Sequence, residues 1–210
     1  EMPKVKIPRK STLVDMTAMC DVSFLLLTFF ILTTQFKPDE AVTVQTPGSI
    51  SKSKLPDVDV FTVIVDSAGR AYFGIYNHEV LKKTVMSAMN DAYDMNLTPE
   101  EINAFGKIGS FGAPLSQFKN LLNAEPTDRK DPKFMTGIPI DTASNELGKW
   151  VTNSLDAWYI MQGVETKKVP SVAIKGHKNA GYPVIKRIIA ILQEENLNKF
   201  KFVTELKAKN

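Results

Sequence analysis

The hydrophobic pattern divides the chain into one unbroken apolar block and a later region where apolar positions recur at short periods. Residues 13–36, LVDMTAMCDVSFLLLTFFILTTQF, form the block. At the helical rise they span about 36 Å, enough to cross a hydrocarbon core of about 30 Å with some tilt. Asp21 lies inside the block, about 12 Å along from Leu13. A charge at that depth costs roughly 2.5–3.5 kcal/mol on insertion scales. The run over residues 24–32 is apolar enough to offset the cost. On a helix, Thr17, Thr28 and Gln35 share a face with Asp21, while Met19, Leu26 and Phe30 lie opposite. A polar stripe of this kind faces protein or water rather than acyl chains. Two readings stand open: a plain anchor that tolerates an acid near the interface, or a protonatable group within a helical assembly.

Residues 37–57 read as a linker, punctuated by Pro38, Pro47, Gly48 and Pro56. Within it, residues 42–46 alternate apolar and polar, the pattern of a short strand. Val42, Val44, Thr46 and Pro47 are candidates for edge-to-edge strand pairing; an ordinary extended linker is the alternative. From residue 58 the pattern is that of a folded domain. Residues 60–66 and 71–75 suggest two strands joined by the Ser67-Ala68-Gly69-Arg70 turn. Asn77 is placed to cap a helix over 78–93, whose Val80, Leu81, Val85, Met89 and Ala92 follow a helical period. Near the C-terminus, residues 171–176 read as a strand. Tyr182-Pro183 opens a helix lined by Val184, Ile185, Ile188, Ile189 and Leu192, and residues 200–206 alternate as a closing strand. The order is β-β-α … β-α-β, an α/β (α+β) domain over 58–210.

Between its two halves lies a segment, residues 94–168, that reads as a helical insertion. Thr98-Pro99-Glu100-Glu101 is a helix start with a Thr cap, an early Pro and Glu at the third position. Residues 114–122 and 144–161 read as two further helices. The insertion either fills a face of the sheet or docks a partner.

Composition and charge exclude more than they select. The 210 residues carry a net charge of +3, which argues against nucleic-acid binding. Lys4, Lys6, Arg9 and Lys10 precede the apolar block, so the positive-inside rule places the tail of residues 1–12 in the cytoplasm and the domain outside it. The block is longer than a signal-peptide core, and Thr33-Thr34-Gln35-Phe36-Lys37-Pro38 is a poor cleavage site, so an uncleaved anchor is expected. Cys20, the single cysteine, lies in the block and leaves the domain without a disulfide. His78 and His177 lack neighbours at ligand spacing, and no metal or cofactor is expected. Gly106, Gly109 and Gly112 lack the strand and Lys of a phosphate loop and suggest a tight connection between helices. No nucleophile motif appears. Trp150 and Trp158 fall close to one helix face and read as core. The chain is not expected to be an enzyme; a secreted enzyme with a misread signal is the weaker alternative.

The stretch Val14-Asp15-Met16-Thr17-Ala18-Met19-Cys20-Asp21-Val22, followed by LLLTFF, resembles the ExbD/TolR family of proton-driven energy transducers. The family pattern commonly has Pro three residues before the Asp, where this chain has Ala18. Ile174-Lys175-Gly176, the Tyr182-Pro183 helix start and the final strand are similar to the family's exported domain. The enlarged domain is similar to ExbD-like proteins of the Bacteroidota. The resemblance implies a single-pass protein of the bacterial inner membrane, with its C-terminal domain in the periplasm and Asp21 as the proton carrier. It implies a homodimer within a pentameric ExbB/TolQ-like membrane subunit, and a TonB-like protein that passes the motion to outer-membrane transport. A TolR-like role in the Tol-Pal envelope system is the alternative within the family. A plain membrane-anchored periplasmic binding domain is the alternative from another class.

Overall fold

The structure is a computed structural model that describes residues 16–33, 42, 44, 48–49, 60–76, 78–163, 169–203 and 205–206. The chain divides into two compact units, Glu1–Lys37 and Pro38–Asn210.

In the first unit, helix α1 runs over Met16–Thr33. Leu and Phe are its commonest residues, and no Pro or Gly interrupts it.

The second unit is a mixed α/β fold on a five-stranded sheet. After the two-residue strand β1 (Gly48–Ser49) come β2 (Val60–Val65) and β3 (Ala71–Ile75), the hairpin expected from their β-branched and aromatic residues. Helix α2 (Glu79–Tyr93) and helix α3 (Pro99–Gly106) follow, then β4 (Ser110–Phe111), α4 (Leu115–Asn123), and α5 (Glu146–Gln162). The C-terminal part is β5 (Ser171–Gly176), α6 (Tyr182–Glu194), β6 (Phe200–Phe202) and β7 (Glu205–Leu206). The sheet order is β4-β3-β2-β5-β6. β2 pairs antiparallel with β3 and parallel with β5, and β5 pairs parallel with β6.

The register sorts the strand residues onto two faces. Phe61, Val63 and Val65 lie beside Ile75, Phe73 and Ala71 on one side and beside Val172, Ile174 and Gly176 on the other. Helices cover this face: the Trp158 ring of α5 meets Phe61 edge-on at 6.2 Å, and Ile185 of α6 lies over Gly176, 3.3 Å from where a Cβ would stand. The reverse face carries Ile64, Tyr72 and Ala173, all buried. Gly112 is required here because a Cβ would collide with the Tyr72 ring.

Several sequence expectations are corrected. The cap of α2 is His78, without a side-chain capping bond, and Asn77 lies outside the described residues. The closing strand is two strands: β6 ends at Phe202, and β7 pairs with β1 (Gly48 with Glu205, Ser49 with Leu206). The amide of Val203 still donates to the Ile174 carbonyl at 2.9 Å. In the 37–57 segment the described residues that pair are Gly48 and Ser49 of β1; of the expected strand over 42–46, Val42 sits in a bend and Val44 in irregular structure, and the other residues lie outside the described part. Val44 is only 5% exposed and belongs to the domain core, with Val42 packed against it. The connection 106–112 is more than a link between helices, because it contains β4, which pairs with β3.

The insertion fills a face. Phe105, Phe111, Phe118 and Trp150, all fully buried, form one aromatic cluster, with Trp150 centred 4.5 Å from Phe111 and 5.0 Å from Phe118. Its local signals are those read in sequence. Thr98 Oγ1 accepts from the Glu101 amide at 3.3 Å, and Glu101 Oε2 accepts from the Thr98 amide at 2.8 Å, a capping box. Caps of this type contribute about 1 kcal/mol. Asn145, in the left-handed region at φ 34°, caps α5 by accepting from the Gly148 amide.

Candidate functional site

Among the described residues, α1 is the one helix long and apolar enough to cross a membrane. Its 18 residues rise about 27 Å, and the flanking residues 13–15 and 34–36 lie outside the described part. Its large apolar side chains, from Met16 to Leu32, are exposed by half or more all around the helix. That surface suits lipid or other apolar helices.

The polar groups of α1 fall into two kinds. Three hydroxyls are satisfied within the helix. Ser23 Oγ donates to the Met19 carbonyl at 2.8 Å, Thr28 Oγ1 to Phe24 at 2.9 Å, and Thr33 Oγ1 to Phe29 at 2.7 Å. Back-bonded hydroxyls of this kind need no partner from outside. The carboxyl of Asp21 has no such arrangement. It is the one formally charged side chain of α1, and among the described residues it has no hydrogen-bond or ionic partner. Whatever solvates Asp21 therefore comes from beyond the helix.

This refines the polar stripe. Thr17 and Thr28 do fall on the Asp21 face by helical spacing. Thr28 stands about 10 Å further along the axis, with its one donor already used. Its free lone pairs can accept, so it suits a water or a donor on a neighbouring helix. Gln35 lies outside the described residues, as do Thr46 and Pro47 of the pairing segment. Val42 and Val44 of that segment contact the domain core.

In the domain, several buried polar side chains among the described residues are engaged in structural hydrogen bonds. The buried Asp66 accepts four hydrogen bonds at the β2–β3 turn: from the amides of Ala68 and Arg70 at 2.9 Å each, from Arg70 Nε at 2.7 Å and from Tyr72 Oη at 3.0 Å. Burial pushes its carboxyl up, but the bonds from Arg70 and Tyr72 outweigh it and hold the group below its ordinary value. Burial and the adjacent Asp66 charge push the Tyr72 phenol up. The turn has the Asp-x-x-Gly-Arg order of an Asx turn, which makes the clasp legible in the sequence once the Tyr is placed beside it. Glu101 follows the same logic: burial raises it, and bonds from the Thr98 amide and Asn123, with the Lys119 charge, lower it further. Lys82 donates from Nζ to the Ile108 carbonyl at 2.9 Å and ties α2 to the insertion; burial lowers its pKa.

His78 and His177 are not brought together. His78 caps α2 and meets Trp158 edge-on at 5.7 Å, whereas His177 follows β5 at the opposite end and accepts from the Asn179 amide. Among the described residues there is no cluster of three metal-ligating side chains.

Comparison with curated proteins and with solved structures returned no significant match. The family model described as biopolymer transport protein ExbD/TolR matches residues 8–207, which takes in α1, Asp21, the sheet and the insertion together. An apolar N-terminal helix with one acid, joined to a mixed α/β domain and matched over nearly its whole length by that model, places this chain in the ExbD/TolR family.

Proposed function

We propose that the chain is the single-pass inner-membrane subunit of a motor driven by the proton-motive force, with Asp21 as the proton-carrying group. The observation that supports this most is the placement of Asp21: the one charged residue of α1, with no partner among the described residues. A charged carboxylate facing hydrocarbon is costly. Taking up a proton removes that cost, and losing it restores the demand for water or a cation. Each protonation step thus changes which surroundings of α1 are favoured. That change is what turns proton flow into relative movement of helices.

Membership of the family supports the remaining parts of this reading. A homodimer of this chain turns within a pentameric ExbB/TolQ-like subunit. The N-terminal tail is cytoplasmic, in line with Lys4, Lys6, Arg9 and Lys10. The periplasmic domain passes the movement to a TonB-like protein and so energises outer-membrane transport. The Val42–Pro47 segment is a site of regulated strand pairing that competes with its packing on the domain.

The test is energy-dependent uptake in cells carrying Asp21→Asn, with membrane levels matched by blotting. Asn preserves size and hydrogen bonding but does not titrate, so the variant is expected to insert, assemble and fail to support uptake. Normal uptake would remove Asp21 from the mechanism.

A further inference from the structure

The side chains of α1 restrict how a proton can reach Asp21. Asp21 lies nearer the start of the helix than its end: about 8 Å along from Met16 and about 18 Å short of Thr33. The longer way needs water or polar side chains, because hydrocarbon offers neither donor nor acceptor.

Beyond Asp21, α1 has three polar side chains, Ser23, Thr28 and Thr33. At about 100° per residue, Ser23 lies about 160° round the axis from Asp21 and Thr33 about 120°, whereas Thr28 lies within about 20°. Thr28 is therefore the one polar side chain on the Asp21 face in that part of the helix. It stands about 10 Å from Asp21, with Phe24 and Leu25 on the face between them.

The state of its hydroxyl decides what Thr28 can hold. Its single proton is directed at the Phe24 carbonyl at 2.9 Å, with the Leu25 carbonyl at 3.0 Å. The oxygen keeps its lone pairs, so toward any outside group it acts as an acceptor. The Asp21 carboxylate is also an acceptor. Waters between two acceptors turn hydrogens toward both ends, the polarity that accommodates an excess proton and not an anion. At hydrogen-bond spacing, about three waters bridge a gap of about 10 Å. Each needs polar partners, and Phe24 and Leu25 supply none from their side chains.

We propose that Thr28 is a positioning residue for proton transfer at Asp21, its acceptor oxygen holding the far end of a short water file that reaches the carboxyl from the C-terminal side of α1. The inference rests on the proton-carrying role of Asp21. Thr28 itself neither gains nor loses a proton. A proton joins the water beside Thr28, and each water passes one on to the next. The last water donates to the Asp21 carboxylate, which becomes the neutral acid, and every water in the file is restored.

The test uses cells carrying the full chain and its membrane partner, with membrane levels matched by blotting. Thr28→Val keeps the shape and removes the acceptor, Thr28→Ala removes both, and Thr28→Ser keeps the acceptor. Energy-dependent uptake is expected to fall several-fold in Thr28→Val and Thr28→Ala, with Thr28→Ser restoring most of it. Thr33→Val, off this face, should match the wild type. The ratio of Thr28→Val to wild-type uptake is expected to rise as the medium is acidified, because more protons offset a poorer path. Water is read directly in a Cys20→Ser background. There Thr28→Cys should react with a small water-soluble methanethiosulfonate several-fold faster than Leu26→Cys, at nearly the same depth on the opposite face. Wild-type uptake in Thr28→Val overturns the proposal, and loss confined to Thr28→Ala assigns the position to packing instead. A Thr28→Val ratio that is the same at every pH, or equal reactivity of the two cysteines, overturns it as well. Normal uptake in Asp21→Asn overturns the proton-carrying reading on which it rests.

Discussion

Replacing Trp150 by Phe separates the two contributions of this side chain to the insertion core. Trp150 is fully buried, stacked with Phe105 at 5.9 Å and packed on Phe111 and Phe118 at 4.5 and 5.0 Å. Its indole Nε1 is buried and has no hydrogen-bond partner among the described residues. An unpaired buried donor costs about 1–3 kcal/mol. Phe removes that donor and leaves a void of roughly 40 Å³, which at the usual slope costs about 1 kcal/mol. Trp150→Phe is therefore expected to be neutral or to stabilise by up to about 2 kcal/mol. Trp150→Ala removes the same donor but opens a cavity worth about 3–5 kcal/mol, for a net loss of about 2 kcal/mol. The assay is urea unfolding of the full chain in detergent, followed by far-ultraviolet circular dichroism, with the midpoint and slope compared across the three proteins. If Trp150→Phe destabilises by more than about 1 kcal/mol, the indole N–H is satisfied, by a buried water for example, and the reasoning fails. If Trp150→Ala leaves the midpoint unchanged, the insertion is not part of the cooperative core.

Four further outcomes are expected. Val44→Ala should cost about 1.5–2.5 kcal/mol in the same unfolding assay, since two buried methyl groups are lost; a segment that is only a linker would show no change. Acid should destabilise the domain through Asp66 and Glu101. Both have folded-state pKa values below their ordinary ones, so the unfolded chain binds more protons in that range, and stability is complete above about pH 4–5 and falls as pH drops through the folded values. Asp66→Asn should flatten the acid limb of a pH–midpoint curve, and an unchanged limb would exclude Asp66 as a contributor. Asp21→Glu should retain partial uptake and Asp15→Asn nearly full uptake, whereas equal loss in both would mean that uptake fails for reasons other than titration. A periplasm-active reporter fused after Asn210 should be active and a cytoplasm-active one silent; the reverse pattern would invert the topology.

Much of the molecule is legible from local signals because those signals act within a few residues. The apolar run sets α1. Alternation and β-branching set β2, β3 and β5, and the Thr98–Glu101 box starts α3 as read. The Pro183 position and the apolar face of α6 give that helix before any packing is known. Asp21 stands out for the same reason, since a charge inside an apolar run needs no tertiary context to be conspicuous.

Other features depend on partners distant in sequence. Ser110-Phe111 has no period of its own and becomes a strand only because β3 offers an open edge there. Residues 200–206 alternate as one strand, yet β6 pairs with β5 and β7 with β1, so the pairing divides what alternation joins. Within 42–46 only Val42 and Val44 are described, and the alternation there did not foretell that Val44 enters the core or that Gly48 and Ser49 pair with β7. Whether the insertion fills a face or waits for a partner is also undecided by sequence, because amphipathic helices look alike in both cases; the meeting of Phe105, Phe111, Phe118 and Trp150 decides it. In α1, sequence places Thr28 on the Asp21 face, but only the side-chain geometry shows its donor committed to Phe24. That leaves the carboxyl as the group whose partner must come from outside. Local chemistry is written in neighbouring residues, whereas pairing and burial are settled by the free energy of contacts between distant ones.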